Sequence, residues 1–329
     1  MSAQVDTMYS VREVPWHKQG QVLAEYPGSW AEAREQAGID WDVLAEEPKY
    51  LDGIDGDGFP IYVTDSEYRR VYRSDTRRTL GYTSDTYEVI DHEAMGGIIE
   101  AVLAQTNVKY ETAGSLDEGR AVWCLARLDE PITLPGDPNT VTYPYLAITN
   151  RHDGMGSCAL RATAIRIVCM NTFRAAEMEG ERTKATFTFR HTKNWKDRVT
   201  EAREAVTGAR REIADYIELA TDLLGMPVTT AQQEQFVRLF IGTPPEALVS
   251  KRVANNIETS RGLMRKILAS ETTASVAHTA YGLVQAGVEY ADHVRRAKSW
   301  ESKLNRTLLQ PEPLKRRALV LAREVVKTG

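Results

Sequence analysis

The chain has 329 residues, of which 42% are hydrophobic and 26% charged, and these proportions are typical of a folded protein and exclude a disordered one. Its length favours two domains, because one typical domain spans roughly 100–200 residues. It has no apolar run of the ~18 residues that a membrane span needs, no signal-peptide pattern at its N-terminus and only three cysteines, which predicts a cytoplasmic protein with no membrane partner.

Charge is divided unevenly along the chain. Residues 1–150 contain 26 acidic and 12 basic side chains, a net of −14, whereas residues 151–329 contain 20 acidic and 29 basic side chains, a net of +9. One interpretation is that the basic half binds a polyanion. The other is that the two halves attract each other, within one chain or between subunits.

Residues 1–60 are predicted to be an irregular N-terminal segment that contains one short helix. Ser29–Ala37 has the signature of a helix start, with Ser29 as the N-cap and Glu32 three residues later. Asp52, Asp55 and Asp57 offer oxygen ligands for calcium, but their spacing does not fit the EF-hand loop, which favours a solvated turn.

Residues 61–192 are predicted to form an α+β core domain that begins with a meander of antiparallel strands. Period-two alternation between turn residues predicts strands at Ile61–Thr64, Tyr68–Arg73, Thr79–Tyr82 and Tyr87–Ile90. Asp91 is placed to cap a helix that extends to about Gln105. After it, Val108–Ala113 and Arg120–Arg127 flank a turn and predict a hairpin.

The second part of this core is predicted to contain two longer strands. We expect Pro131–Pro138 to be a loop, followed by strands at Tyr143–Thr149 and Ser157–Val168 around the turn Asn150–Gly154. A helix is expected to start near Asn171, and the last predicted strand is Thr186–Arg190.

Residues 193–329 are predicted to be a helical domain. Asn194 is expected to cap a long helix whose apolar side chains alternate at steps of four and three, namely Trp195, Val199, Ala202, Val206, Ala209, Ile213, Tyr216, Ala220 and Leu223. A second stripe consists of Val276, Ala280, Leu283, Gly287, Tyr290, Val294 and Ala297. Further helices are expected at Thr230–Phe240, Glu246–Ala269 and Pro313–Val326. An intramolecular bundle is favoured over an intermolecular coiled coil.

Motifs for cofactors, metals and catalysis are weak or absent. The phosphate-loop pattern does not occur, and the glycine pattern at Gly154 and Gly156 is followed by strand-like alternation rather than by a helix, so we expect no nucleotide cofactor. His152, Cys158, Cys169 and His191 have no zinc-site spacing. We therefore expect no catalytic or metal site. The alternative is an enzyme that acts on nucleic acid or nucleotides, with a site near His152, Asp153, Cys169, Asn171 and His191.

Basic residues cluster where the predicted strands give way to helices. Residues 151–211 contain 13 basic and 7 acidic side chains. Arginine and lysine neutralise phosphates and aromatic side chains stack on bases, which together bind single-stranded nucleic acid. The predicted DNA-binding residues are Arg161, Arg166, Arg174, Lys184, Arg190, His191, Lys193, Trp195, Lys196 and Arg198. A solvated charged face has the same appearance in one dimension.

Several motifs together resemble the phage/plasmid-like domain-of-unknown-function family. They are Glu111-Thr-Ala-Gly-Ser115 with Gly119-Arg120, Asn150-Arg-His-Asp-Gly154, Arg166-Ile-Val-Cys-Met-Asn-Thr172, Phe189-Arg-His-Thr192, Thr279–His293 and Leu314–Leu319. The resemblance covers most of the chain from about residue 70. It implies a protein of a mobile element in a bacterial host, and it implies no activity.

The predicted order of elements is also similar to that of single-strand annealing proteins of the RecT, Red-beta and Erf kind. That similarity is one of architecture, without shared motifs. It leads to the hypothesis of a phage-type protein that binds and anneals single-stranded DNA in recombination, as a homo-oligomer without ATP. A phage exonuclease or a host replication protein would be a further partner. The other alternative is a structural or host-interaction protein whose acidic half meets a basic partner.

Overall fold

The computed structural model describes residues 5–11, 20–103, 108–128, 131–134, 136–166, 171–173, 186–242, 250–295 and 313–327. The chain divides into two compact units of three segments each. The first unit comprises Met1–Arg127, Leu146–Arg161 and Thr186–Thr207, and the second comprises Leu128–Tyr145, Ala162–Ala185 and Gly208–Gly329. Among the described helices, none combines the length and the apolar character that crossing a membrane requires.

The architecture is α+β, as predicted. The strands are β1 (Val5–Val11), β2 (Gln21–Leu23), β3 (Val43–Glu46), β4 (Lys49–Ile54), β5 (Pro60–Thr64), β6 (Tyr68–Arg73), β7 (Thr79–Ser84), β8 (Tyr110–Leu116), β9 (Ala121–Arg127), β10 (Ile132–Leu134), β11 (Asp137–Arg151), β12 (Cys158–Arg166), β13 (Asn171–Phe173) and β14 (Thr186–Phe189). The α-helices are α1 (Trp30–Ala37), α2 (His92–Leu103), α3 (Val199–Leu224), α4 (Thr230–Phe240), α5 (Lys251–Leu268), α6 (Ala280–Glu289) and α7 (Pro313–Lys327).

Nine of the described strands form one sheet in the order β13-β12-β11-β9-β8-β1-β2, with β10 paired to β11 and β14 paired to β12. The pairs β1–β8 and β8–β9 are antiparallel, whereas β1 and β2 are parallel. A three-stranded sheet has the order β3-β6-β7, and β4 and β5 form a separate hairpin. The first strand of the chain therefore lies inside the large sheet, between β8 and β2.

Helices α1 and α2 meet around Trp30 in the core of the first unit. The indole is buried and donates a hydrogen bond of 2.7 Å to the carbonyl of His92. A Cβ atom at Gly96 would lie 2.0 Å from the indole ring, a distance that no side chain tolerates. Gly96 thus lets α2 approach the aromatic ring that α1 carries.

The hairpin between β8 and β9 turns through three residues with left-handed backbone. The φ angles are 54° at Asp117, 61° at Glu118 and 91° at Gly119. Only glycine adopts this conformation without strain. The amide of Gly119 donates a 2.9 Å hydrogen bond to the carboxylate of Asp6, which also bonds Ser115, so an N-terminal carboxylate holds the strained turn.

The second unit is organised around α6, which is buried on all sides. Tyr281, Leu283 and Val284 are each fully buried, and the hydroxyl of Tyr281 lies 2.9 Å from that of Tyr216 on α3. A Cβ atom at Gly287 would lie 2.4 Å from Ala318 of α7, so this glycine permits close helix packing. A helix without a polar face belongs in the centre of a bundle.

Most of the predicted elements are confirmed. The predicted N-cap of α1 is present, since Ser29 accepts a hydrogen bond from Glu32, and Asp91 bonds the amide of Ala94 in the first turn of α2. Nine members of the two apolar stripes are buried, namely Ala202, Ile213, Tyr216, Ala220, Leu223, Val276, Ala280, Leu283 and Gly287. Four others are half-buried, namely Trp195, Val199, Tyr290 and Val294. Val206, Ala209 and Ala297 lie outside the residues whose side chains are described.

Two predictions for the front of the chain are wrong. The first 60 residues contain β1 to β4 and are not irregular. β1 finds its partner β8 about a hundred residues later along the chain, a pairing that local patterns do not reveal. Tyr87–Ile90 is not a strand, because its backbone groups bond side chains: the carbonyl of Glu88 accepts from His191 and that of Ile90 from Asn150.

Three further boundaries differ from the prediction. Pro131–Pro138 is only partly a loop, because Ile132–Leu134 pairs with β11. Asn171 begins strand β13 rather than a helix, because residues 171–173 pair with β12. Asn194 is not a helix cap: Lys193–Trp195 forms a 3-10 turn, and α3 begins at Val199 after Arg198 has bonded back to the strand before it.

Candidate nucleic-acid interface and buried histidine cluster

An exposed basic segment follows β14 in the first unit. The side chains of Arg190, Lys193 and Lys196 are exposed, and Trp195 between them is half-buried. Within the described residues, Arg190 and Lys193 form no ion pair. Exposed cations and an aromatic ring within one short segment are the groups that phosphates and a base would contact. We call residues 190–198 the basic segment.

Arg198 fixes the C-terminal end of the basic segment. Its Nη1 donates a 2.9 Å hydrogen bond to the carbonyl of Thr188, and its guanidinium lies 4.7 Å from the centroid of the Phe187 ring. Its Nε lies 3.1 Å from the carboxylate of Glu201. Arg198 therefore connects β14 to the start of α3, and its donors are largely engaged.

The aromatic ring of the basic segment also has a cation beside it. The Nζ of Lys196 lies 5.7 Å from the centroid of Trp195, which is within the range of a cation–π contact. This contact keeps the ammonium close to the indole without using its hydrogen-bond donors. A phosphate is thus able to bond Lys196 while the ring remains in place.

The other predicted site residues are placed less completely. Arg161 is half-buried on β12, opposite Thr186 of β14. Arg166 ends β12, but its side chain lies outside the described residues, as do Arg174, Lys184 and Cys169. Arg161 therefore pairs with the first residue of β14, whereas the basic segment follows the last residue of that strand.

His191 differs from its neighbours in the basic segment because it is buried. Its ring stacks on Tyr87, with 4.5 Å between centroids and an interplanar angle of 10°. Its Nδ1 lies 3.0 Å from the carbonyl of Glu88, and its Nε2 lies 3.0 Å from Oδ1 of Asn150. The imidazole therefore attaches the basic segment to the loop after β7 and to the end of β11.

Both ring nitrogens of His191 face hydrogen-bond acceptors. Asn150 donates to the carbonyl of Ile90 over 2.7 Å, so its oxygen faces His191 and accepts. The carbonyl of Glu88 also accepts only. A neutral imidazole has one N–H and satisfies one of these two contacts, whereas an imidazolium would satisfy both. Burial lowers the pKa of His191, while the carbonyls of Glu88 and Arg151 act in the opposite direction.

Two more histidines lie beneath this contact. The Nε2 atoms of His92 and His152 are 3.1 Å apart, and Nδ1 of His92 lies 2.9 Å from the carbonyl of Ile39. Because that carbonyl accepts only, His92 carries its proton on Nδ1 and its Nε2 is an acceptor. His152 therefore donates from Nε2, and its Nδ1 is a lone pair.

This pair of histidines is electrically neutral in the folded protein. Burial lowers the pKa of His92 to about 4, and burial together with the neighbouring His92 and His191 lowers the pKa of His152 well below its ordinary value. His92 also packs edge-on against Trp41, with 4.4 Å between centroids. The pair thus acts as a packed, hydrogen-bonded part of the core.

Three polar atoms around this pair are buried without a hydrogen-bond partner among the described residues. They are Nδ1 of His152, Oγ1 of Thr83 and the hydroxyl of Tyr87. Thr83 lies against Gly154, since a Cβ atom there would be 3.0 Å from its methyl group. Buried polar atoms of this kind are commonly satisfied by water. Among the described residues, no group of histidine, cysteine and carboxylate side chains is arranged to hold a metal ion.

Sequence reasoning identified His152 and His191 but missed the groups that fix them. Asn150 was noted only as part of a turn, and His92 and Tyr87 were not identified at all. A usable signal was the polar motif Asn150–Gly154 at the end of a long apolar strand, because buried polar side chains need partners. Those partners come from the loop after β7 and from the start of α2, which no local pattern connects.

Comparison with known proteins places the chain in a family. No curated protein and no solved structure matches the chain. The family described as "Domain of unknown function (DUF932)" matches residues 79–309, which include the Asn150–Gly154 turn, the buried histidines and the basic segment. The matched region covers well over half of the 329 residues. The chain therefore belongs to the DUF932 family.

Proposed function

We propose that the protein binds single-stranded DNA and anneals complementary strands, as a homo-oligomer and without ATP. The observation that carries the proposal is the basic segment, in which Arg190, Lys193 and Lys196 are exposed and Lys196 lies beside the Trp195 ring. Phosphate contacts supply most of the affinity for single strands, and stacking on an aromatic ring adds a contribution that does not depend on sequence.

In this mechanism the protein contacts one strand through its backbone. Arg190, Lys193 and Lys196 neutralise successive phosphates, and Trp195 stacks on one base. The remaining base edges stay accessible, so a complementary strand pairs with them by ordinary base pairing. No covalent step occurs, and the protein contributes alignment and neutralisation of charge.

The buried histidine cluster has a positioning role in this proposal. His191 bonds Glu88 and Asn150, and the carbonyl of His191 also accepts a 3.0 Å hydrogen bond from the amide of Glu88. These bonds hold the chain directly after Arg190, and the pairing of β14 with β12 holds it directly before. Less conformational entropy is then lost when the cations bind a strand.

Salt-dependent binding tests the proposal. The anisotropy of a fluorescent single-stranded oligonucleotide is measured as a function of protein concentration at salt concentrations from about 50 to about 300 mM, a range in which affinity for nucleic acid falls steeply. The variant Arg190→Gln/Lys193→Gln/Lys196→Gln is expected to lower the slope of log K against log salt by about 2, since each lost phosphate contact removes ~0.7.

A matched control separates a specific site from general charge. Lys251, Arg252 and Arg316 are exposed on α5 and α7, so their triple change to glutamine removes the same charge elsewhere. We expect this control to bind like the wild type. The proposal is contradicted if the wild type shows no salt-sensitive binding. If both triple variants weaken binding equally, the basic segment is not the binding site.

Annealing is measured separately from binding. Two complementary oligonucleotides with donor and acceptor dyes are mixed with the protein and without nucleotide. The proposal expects faster pairing in the presence of the wild type than in its absence. Binding without any acceleration would restrict the function to strand protection.

A second candidate function is contact with a basic protein partner, and the β4–β5 hairpin favours it. Tyr50, Phe59 and Tyr62 are exposed by 51%, 66% and 61%. Exposed aromatic side chains on an open hairpin are typical of interaction surfaces. The same hairpin also carries the exposed carboxylates of Asp52, Asp55 and Asp57, so the surface fits a cationic partner.

This second function is tested by purification from nuclease-treated lysate. The variant Phe59→Ser/Tyr62→Ser removes two exposed rings without touching the core. A partner that copurifies with the wild type and not with this variant would support the interaction. Copurification that is lost on nuclease treatment alone would indicate a nucleic acid and contradict it.

A further inference from the structure

A charged cavity lies in the second unit between helices α4, α5 and α7. Its volume is about 780 Å³, which is within the ~300–1,000 Å³ of small-molecule sites. Four arginines and two glutamates line it, so its formal charge is +2. A cavity of this size with a surplus of guanidinium groups is suited to an anion.

Part of the cavity lining is an ion-pair network around Arg265. Nε and Nη2 of Arg265 each lie 2.9 Å from an oxygen of Glu234, and Nη1 lies 2.8 Å from Glu258. The bonds to Arg265 lower the pKa of Glu234 to about 2, so this carboxylate is ionised at neutral pH. Arg265 thus has all three nitrogens engaged and serves to orient the two glutamates.

Arg238 and Arg317 also line the cavity, and each has N–H donors that its hydrogen bond to the protein does not use. Arg238 is 68% exposed and bonds Glu234 through Nε at 3.2 Å. Nη2 of Arg317 donates to the carbonyl of Leu239 over 2.7 Å, at the C-terminal end of α4. Within the described part of the chain, neither arginine makes another hydrogen bond. Each therefore retains N–H groups in the planar arrangement that matches two oxygens of a phosphate.

We propose that this cavity binds a small organic phosphate monoester. The charge of +2 matches a phosphate monoester, which carries close to two negative charges at neutral pH. The phosphate bonds Arg238 and Arg317. The volume exceeds that of a phosphate group, so the organic part of the ligand lies beside Leu239 and the aliphatic parts of the arginines.

This cavity is independent of the basic segment. It is lined by residues 234–317, whereas the basic segment spans residues 190–198 in the other unit. The two sites also differ in form, because a cavity accepts a compact ligand while an exposed segment accepts a polymer. A result at one site consequently does not decide the result at the other.

The experiment is calorimetric titration of the full chain at constant ionic strength. The probes are adenosine 5′-monophosphate and phenyl phosphate, and adenosine and phenol serve as their uncharged counterparts. We expect the two phosphates to bind and the two uncharged compounds not to bind. Inorganic phosphate is expected to compete with both phosphate probes.

Charge-changing variants locate the binding. Arg238→Gln lowers the charge of the cavity to +1 and leaves Glu234 bonded to Arg265, and it is expected to weaken binding at least fivefold. Glu258→Gln raises the charge to +3 and is expected to strengthen binding. Arg252→Gln on α5 lies outside the lining and is the matched control, with affinity unchanged. Circular dichroism verifies that each variant folds.

Three outcomes overturn the proposal. The first is that neither phosphate monoester binds at millimolar concentration. The second is that Arg238→Gln and Arg252→Gln bind the probes equally well. The third is that only oligonucleotides compete for the cavity, which would assign it to nucleic acid.

Discussion

The buried pair of histidines makes a sharp prediction about acid stability. Replacing His92 by asparagine keeps a donor near the carbonyl of Ile39, the group that Nδ1 of His92 contacts at 2.9 Å, but removes the titrating ring. It also leaves the Nε2–H group of His152 without its acceptor. The variant is therefore expected to be less stable at pH 7 by about 1–3 kcal/mol, the penalty of one unsatisfied buried polar group.

The size of the pH effect follows from the pKa of His92, which is about 4 in the folded chain against an ordinary value of 6.5. The unfolded chain binds the proton more tightly, so acid favours unfolding. The contribution of the neutral ring is complete above about pH 6.5 and is lost as pH falls toward about 4. Between pH 7 and pH 5, this single group lowers the free energy of unfolding by about 2 kcal/mol.

Urea unfolding at pH 7 and pH 5, at one ionic strength, measures the effect. Over this range, the free energy of unfolding of the wild type is expected to fall by about 2 kcal/mol more than that of His92→Asn. Val71→Ala is the control, because Val71 is fully buried in the cluster with Trp41 and its truncation destabilises without changing any titration. Its pH dependence should run parallel to that of the wild type. Parallel curves for wild type and His92→Asn would refute the reasoning.

Two further predictions concern the turn at residues 117–119 and the C-terminal helix. Glu118→Gly is expected to raise the free energy of unfolding by about 1 kcal/mol, because glycine relieves the left-handed strain at φ 61°; the lost ion pair with Arg78 is half-exposed and contributes little. Lys315→Met is expected to destabilise the protein by about 3–5 kcal/mol, because it removes the cation that lies 2.9 Å from the fully buried carboxylate of Asp292. Denaturant titration checks both. A Lys315→Met/Asp292→Leu variant as unstable as the single variant would contradict the second.

The sequence predicts those parts of the fold that depend on neighbouring residues. The cap at Ser29, the cap at Asp91 and the apolar spacing from Ile213 to Leu223 are each a property of a few consecutive turns. They are confirmed because a helix satisfies its own backbone hydrogen bonds. The fold class follows from the same local signals.

The parts that were missed depend on distant residues. Tyr87–Ile90 alternates like a strand, yet His191 and Asn150, which are about 60 to 100 residues away along the chain, take up its carbonyl groups. In the candidate site, composition and spacing were sufficient to predict the exposed cations. The burial of His191 was not, because it depends on stacking against Tyr87.

The position of β1 has a consequence for how the protein is divided and produced. The family match begins at residue 79 and ends at residue 309, but β1 hydrogen-bonds β8 from outside that range, and α7 contributes Ala318, Leu319 and Ala322 to the core from beyond its other end. A fragment trimmed to the matched range would expose an unpaired β8 edge and an uncovered α6, which are templates for aggregation. The range that the family matches is thus shorter than the range that contributes to the folded core, and expression trials should retain both flanks.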